Sequence, residues 1–178
     1  TIGPSLNNIL VDNIDHITIL PGSYGSLFGN QAVGGIVDIT THTPDKRRAI
    51  AGISIGNNAQ RQAYGFYSAR YPSNIGLSIG GISSHTDDSQ PHNTQENYNI
   101  NAKLDYKAKQ NTTSLNLLAY NSSIELPKAK KFDNNQTVKS FDQNSKTTSN
   151  TIYIKNKHQF NSQWSLDSDI MFLDAKTT

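Results

Sequence analysis

The strongest constraint on this chain is an alternation of apolar and polar residues that recurs along residues 45–178. It is clearest in Glu96–Ala108, where Tyr98, Ile100 and Leu104 alternate with Asn, Lys and Asp. A period of two places apolar side chains on one face of a β-strand and polar ones on the other. We therefore expect an all-β, mainly antiparallel fold with seven strands at about Ala49–Asn57, Gln62–Tyr71, Ile75–Ser84, Glu96–Ala108, Thr112–Leu126, Asn150–Phe160 and Trp164–Asp174.

The connections between these strands alternate in length. Three are very short, whereas His85–Gln95 and Pro127–Ser149 are predicted to be long loops. Transmembrane β-barrels have short turns at one end and longer loops at the other, with aromatic girdles at both interfaces. Four aromatic residues on the apolar faces lie beside the short turns and could form such a girdle: Tyr71, Tyr106, Phe160 and Trp164.

Composition neither requires nor excludes a membrane location. Hydrophobic residues make up 34% of the chain, and no run approaches the ~18–20 apolar residues of a transmembrane helix. Barrel strands carry a much weaker signal, because only alternate residues face lipid. The net charge of +2 is too small to indicate a nucleic-acid partner. Periodicity alone also leaves open a soluble β-sandwich, whose strands alternate in the same way.

Residues 1–44 have a different character. Two short β-branched runs, Ile14–Leu20 and Ile36–Thr40, are predicted to be strands. They are separated by Pro21–Gly35, which contains five glycines and therefore tight turns. The charged hinge Asp45–Arg48 follows. We expect two domains, at residues 1–44 and 45–178.

The first segment resembles the C-terminal part of the plug of TonB-dependent outer-membrane receptors. The resemblance lies in the order and spacing of Ile14–Leu20, Pro21-Gly22-Ser23, Ser26-Leu27-Phe28-Gly29, Gln31-Ala32-Val33-Gly34-Gly35 and Ile36–Thr41. It implies the C-terminal part of a plug followed by a partial transmembrane β-barrel of about seven strands. The family has an Arg before the turn glycine, where this chain has Pro21, so the ion pair made by that Arg is in doubt.

The resemblance also implies a function and a location. We expect a fragment of a non-enzymatic receptor in the outer membrane of a Gram-negative bacterium. Such receptors import scarce nutrients, most often ferric siderophores, although cobalamin, haem or carbohydrate are alternatives. The implied partners are TonB, through a TonB box missing from this chain, the ligand, and outer-membrane lipid with lipopolysaccharide. A soluble β-rich binding or adhesion module remains the alternative from another class.

No catalytic constellation, metal site or cofactor is predicted. The Gly-rich run lacks the Gly-Lys-Ser/Thr of a phosphate loop. The candidate ligand-binding residues lie at the plug turn and in the two long loops. They are Gln31 at the turn, His85, Asp87, Asp88 and His92 in the first loop, and Lys128, Lys130 and Lys131 in the second. The lysines could attract an anionic chelate or lipopolysaccharide phosphates, or could simply be solvated.

Overall fold

The computed structural model describes residues 10–23, 34–87, 94–131 and 139–178, and the side chains of residues 126–143 are not part of that description. Within these ranges no helix is long and apolar enough to cross a membrane. The elements in chain order are a 3₁₀ turn at Val11–Asn13 and the strands β1 (Ile14–Pro21), β2 (Gly35–Thr41), β3 (Arg48–Ile55), β4 (Arg61–Arg70), β5 (Ile75–Asp87), β6 (Thr94–Lys107), β7 (Asn111–Lys131), β8 (Lys139–Gln159) and β9 (Ser165–Thr177).

Strands β1 and β2 form a two-stranded antiparallel sheet, in which Ile17 lies opposite Ile39 and Ile19 opposite Val37. Both strands were predicted from their β-branched runs. The sheet also accounts for a glycine that directly precedes the second run. Gly35 has φ +148°, and a Cβ there would lie 2.8 Å from the carbonyl oxygen of Leu20. Only glycine tolerates both conditions.

Strands β3 to β9 form a seven-stranded antiparallel sheet in sequence order. Each strand pairs with the next, so residues align in rows across the sheet. Leu104, for example, lies opposite Leu77 on β5 and Leu115 on β7. We call the face that contacts Leu10 and Asn13 the inner face, and the opposite face the outer face.

The outer face carries an uncovered apolar band. Residues of this band are 37–81% exposed, among them Ile53, Tyr98, Ile100, Leu104, Ile154 and Phe172. Their inward-pointing neighbours Asn99 and Asp105 are 5% and 1% exposed. A β-sandwich would cover its apolar face with a second sheet. Among the described residues nothing covers this one, which favours a lipid-facing surface.

The predicted aromatic rim is present at the short turns. Tyr71 donates its backbone N–H to the carbonyl of Ile75 (2.8 Å), and Phe160 donates to that of Trp164 (3.0 Å), so both rings flank turns. Tyr106 lies opposite Ile75 at the same end of the sheet. The four rings are 42–70% exposed. Aromatic rings at one level suit a membrane–water interface.

One prediction about the connections is wrong. Most of Pro127–Ser149, expected to be a loop, belongs to β7 and β8, which have 21 residues each. Strands of that length span about 70 Å. They have roughly twice the ~9–11 residues that a strand needs to cross a bilayer. The sequence of this extension is rich in Lys, Asn, Gln, Ser and Thr and has no apolar alternation to detect. Its register shifts between Leu126 and Ala129, around Pro127, which cannot donate to the ladder.

The other predicted loop is shorter than expected. Strand β5 continues to Asp87 and β6 begins at Thr94, so part of His85–Gln95 is strand. Thr94 and Asp87 pair at the end of this ladder. The side chains here are polar and show no apolar alternation, so the sequence pattern did not predict these strand ends.

Candidate functional site

The segment before β1 is packed onto the inner face of the large sheet through Leu10. Leu10 is 3% exposed, and Phe66, which is 4% exposed, lies beside it. Gly80 permits this approach, because a Cβ there would lie 3.1 Å from Leu10 Cδ2 and 3.0 Å from Phe66 Cδ2. Next to this apolar contact, Asn13 Nδ2 donates to Asn101 Oδ1 at 3.2 Å. These apolar and polar contacts therefore help to anchor the segment.

The linker between the two sheets lies directly on the inner face. Pro44 is fully buried. It sits over Gly76, where a Cβ would come within 2.6 Å of Pro44 Cγ. Two residues later, the backbone oxygen of Lys46 accepts a hydrogen bond from Ser68 Oγ at 3.4 Å. The hinge that the sequence marks as charged is therefore held against β4 and β5.

A charged network joins this linker to three strands. Asp45 Oδ1 accepts hydrogen bonds from Arg70 Nε (2.9 Å) and Lys107 Nζ (2.8 Å). Arg70 also donates through Nη2 to Asp105, whose other oxygen accepts from Ser114 Oγ at 3.0 Å. Because Asp105 is 1% exposed, its pairing is obligatory: a buried charge without a partner is strongly destabilising.

The outer end of this network is more weakly held. The side chain of Asp45 is 50% exposed, so its ion pairs are screened by solvent. The hydrogen bond from Lys107 is the largest cause that lowers the pKa of the Asp45 carboxyl below its usual value, and partial burial opposes it. Asp45 is therefore the accessible carboxylate of the network, and Asp105 is the buried one.

A second group of polar contacts surrounds the start of β1. Arg48 Nη1 donates to the backbone oxygen of Asp12 at 3.2 Å, and Arg48 Nη2 lies 3.6 Å from Asp12 Oδ1. The Asp15 carboxylate lies 2.9 Å from His16 Nδ1 and 3.1 Å from His42 Nδ1. The hydrogen bond with His16 is the largest cause that lowers the pKa of Asp15. These contacts flank a cavity of about 390 Å³.

The structure describes only two of the predicted ligand-binding side chains, His85 and Asp87. They lie together on the outer face, with His85 Nε2 3.4 Å from Asp87 Oδ1 and His85 Nδ1 3.3 Å from Glu96 Oε1. Thr94 Oγ1 donates to Asp87 at 2.9 Å. Among the described residues no three His, Asp or Glu side chains are arranged to hold a metal ion.

The remaining predicted ligand residues carry no side-chain description. Gln31, Asp88 and His92 lie outside the described residues. The backbone of Lys128, Lys130 and Lys131 belongs to β7, but their side chains are not described. Ligand binding by all eight residues stays a prediction.

Sequence reasoning missed the network of Asp45, Arg70 and Asp105. Two signals were available. Asp105 occupies a polar position in the most strictly alternating strand, and Asp45 opens the charged hinge. Their meeting depends on Arg70, which is 25 residues from one and 35 from the other. The strand register aligns Arg70 with Asp105, and the path of the linker brings Asp45 to Arg70.

Comparisons with known proteins find similarity to two bacterial proteins, a transporter and a receptor. No family model matches the sequence. The vitamin B12 transporter BtuB of Vibrio vulnificus is 31% identical over 62 residues, which are 34% of this chain and 10% of that protein. The siderophore receptor PiuA from Acinetobacter baumannii has a similar structure, with a TM-score of 0.76 at 11% identity. The match covers 93% of this chain and 26% of the PiuA chain, so the chain spans about a quarter of that receptor.

At 11% identity, the likeness to PiuA shows the fold, a partial β-barrel of antiparallel strands. The sequence match to BtuB is independent of that likeness. The motif running from Ile14 to Thr41, the apolar outer band and the aromatic rim are the features expected of the same family. The chain is therefore similar to TonB-dependent outer-membrane receptors, over a stretch of sequence to BtuB and in fold to PiuA.

Proposed function

We propose that this chain forms part of a receptor that imports a scarce nutrient across the outer membrane with energy delivered by TonB. The observation that carries the proposal is the seating of the plug-like segment on the inner face of a sheet whose outer face is apolar. Leu10, Asn13 and Asp45 make those contacts. In this proposal residues 1–44 are the C-terminal part of the plug and residues 45–178 are barrel strands.

A ferric siderophore is the proposed class of nutrient, and the fold shared with a siderophore receptor supports it. Cobalamin is the second candidate, supported by the sequence match to a vitamin B12 transporter. In either case the ligand would bind between the plug and the longer connections. Its release inward would follow when TonB pulls on the plug. No covalent chemistry is required of the chain.

The outer face near the longer connections fits contact with lipopolysaccharide. Beyond the apolar band it carries charged residues, among them Arg61 opposite His85, and Lys146 opposite Ser123. Cations at this level can pair with the phosphates of the outer leaflet. Lipopolysaccharide and membrane lipid are therefore proposed partners, and no nucleic-acid partner is proposed.

The test is uptake by the full-length receptor in cells that lack their own transporters for the probes. Accumulation of a radiolabelled ferric siderophore or of labelled cyanocobalamin is measured with TonB present and with TonB deleted. We expect accumulation of one probe that is lost in the TonB-deleted strain. Equal accumulation in the two strains would refute energised transport. Accumulation of only one probe would decide between the two nutrient classes.

A further inference from the structure

The inner face of the large sheet changes its chemistry along its height. Strand pairing places Arg70, Asp105, Lys155 and Asp169 in one row, close to the short turns. This row contains the charged network that holds the linker. Charge on the inner face is therefore concentrated where the plug-like segment is attached.

Farther from the short turns, the inner face carries no formal charge among the described side chains. We call this region the upper inner wall. It comprises the inner-face positions within residues 52–54, 62–64, 82–86, 95–99, 120–124, 145–149 and 175–177, beyond the row of Asn101. Amides and hydroxyls dominate it, including Ser84, Asn97, Asn99, Tyr120, Ser122 and Thr147.

The absence of charge on this wall is not a matter of local composition. The same stretches of strand carry many charged residues, and alternation places all of them on the outer face. They include Arg61, Asp87, Glu96, Glu125, Lys146 and Lys176. Acidic and basic side chains at this height are thus sorted to one side of the sheet, and neutral hydrogen-bonding groups to the other.

One member of the wall has an unmet hydrogen-bonding capacity. Asn99 is 5% exposed, and its Oδ1 has no hydrogen-bond partner. Its neighbour Asn97 is satisfied, because it donates to Ser84 Oγ at 3.3 Å and accepts from Ser122 Oγ at 2.8 Å. Buried acceptors are rarely left without a donor. A ligand N–H or O–H group that displaced the side chains covering Asn99 Oδ1 would satisfy it.

We propose that the ligand of this receptor is an uncharged solute rich in hydroxyl or amide groups, and that the upper inner wall binds it with Asn99 as an acceptor. The proposal rests on the uptake function proposed above. An anionic chelate would lose its hydration against this wall without gaining a cation, and unpaired charges are costly to desolvate. A neutral ligand exchanges water for hydrogen bonds of the same kind.

The test uses the full-length receptor in detergent and five probes. Three are neutral, namely cyanocobalamin, a neutral ferric trihydroxamate and maltohexaose, and two are anionic, a ferric catecholate and ferric citrate. Dissociation constants are measured at about 0.05 and 0.5 M salt, where screening separates ionic from neutral recognition. We expect one neutral probe to bind, with a dissociation constant that changes less than about twofold between the two salt concentrations.

Two matched variants test the role of Asn99. Asn99→Leu should weaken binding of the neutral probe about tenfold, as expected for the loss of one buried hydrogen bond. Asn150→Leu makes the same substitution on the exposed outer face, where Asn150 lies opposite Ala119, and should leave binding unchanged. Equal affinities of the two variants would remove Asn99 from the site. If Asn99→Leu does not fold, the salt titration of the unaltered receptor decides the ligand class.

The outcomes separate the two proposals. Salt-sensitive binding of an anionic complex, with no binding of a neutral probe, overturns the ligand class and leaves energised uptake standing. Failure of every neutral probe to bind also overturns it. Binding of a neutral probe whose accumulation does not depend on TonB supports the ligand class and refutes the uptake mechanism.

Discussion

Substituting Gly76 with alanine should loosen the linker between the two sheets. A Cβ at Gly76 would lie 2.6 Å from Pro44 Cγ, 2.9 Å from Arg70 Nη2 and 3.0 Å from the Pro44 oxygen. Ordinary contacts begin near 3.4 Å, so Pro44 must move by about 1 Å. That movement carries the neighbouring Asp45 away from Arg70.

The magnitude follows from two opposing effects. Overpacking of this kind costs about 1–3 kcal/mol. Alanine also reduces the conformational entropy of the unfolded chain, which stabilises the folded state by about 0.4–1 kcal/mol. The net cost to the linker contact is therefore about 1–2 kcal/mol, equivalent to a 5–30-fold increase in local opening. Gly65→Ala is the control, because its Cβ would meet only the Ile50 oxygen, at 3.9 Å.

Trypsin provides the assay, since Lys46, Arg47 and Arg48 lie in the exposed hinge. Cleavage at these sites in the folded, full-length receptor tracks the population of the opened linker when opening is fast. We expect Gly76→Ala to be cut about 5–30 times faster than the unaltered receptor and Gly65→Ala to be cut at the unaltered rate. Equal rates for the two variants would refute the packing of Pro44 against Gly76.

Three further outcomes are expected. Leu10→Ala should lower the free energy of unfolding by about 2–3 kcal/mol in urea titrations, whereas the same change at Val11, which is 77% exposed, should cost under about 0.5 kcal/mol. Ile100→Lys should lower the stability of the barrel by about 2–4 kcal/mol at mid-membrane and reduce the fraction of folded barrel in a heat-modifiability gel. Thr151→Lys, on the inner face, should leave that fraction unchanged. Equal losses in the two variants would contradict the assignment of faces. The lowered pKa of Asp45 means that its contribution to stability is present above about pH 4 and is lost as the pH falls further. The urea midpoint of Asp45→Asn should therefore lie below that of the unaltered receptor at pH 6, and the two midpoints should converge at pH 3. A difference that is the same at both pH values would contradict this.

Much of the fold could be predicted because each barrel strand has one face in lipid. Alternation in Glu96–Ala108 follows from that environment, and β6 was found within two residues at its N-terminal end and one at its C-terminal end. Strand ends beyond the membrane could not be found in this way. The sequence there has no apolar alternation, so Pro127–Ser149 was mistaken for a loop. Backbone pairing, which leaves no mark on side-chain composition, extends these strands.

The candidate site was less accessible to sequence reasoning. The plug-like motif pointed to a family, and hence to the region in which a ligand would bind. His85 and Asp87 were grouped correctly as neighbours, yet the period of two places their side chains on the outer face. The contacts that seat the linker, from Asp45 through Arg70 to Asp105, join residues far apart in sequence.

The sequence by itself determined the strand periodicity, the lipid-facing residues, the aromatic rim and the glycines that mark the plug-like turn. These are local properties, because each depends only on which neighbours along the strand share a face. The tertiary structure decided which residues share a row across seven strands, and therefore that charge surrounds the linker while the wall above it is neutral. Register is a relation between strands: a shift of one residue would have moved every one of these side chains to the other face.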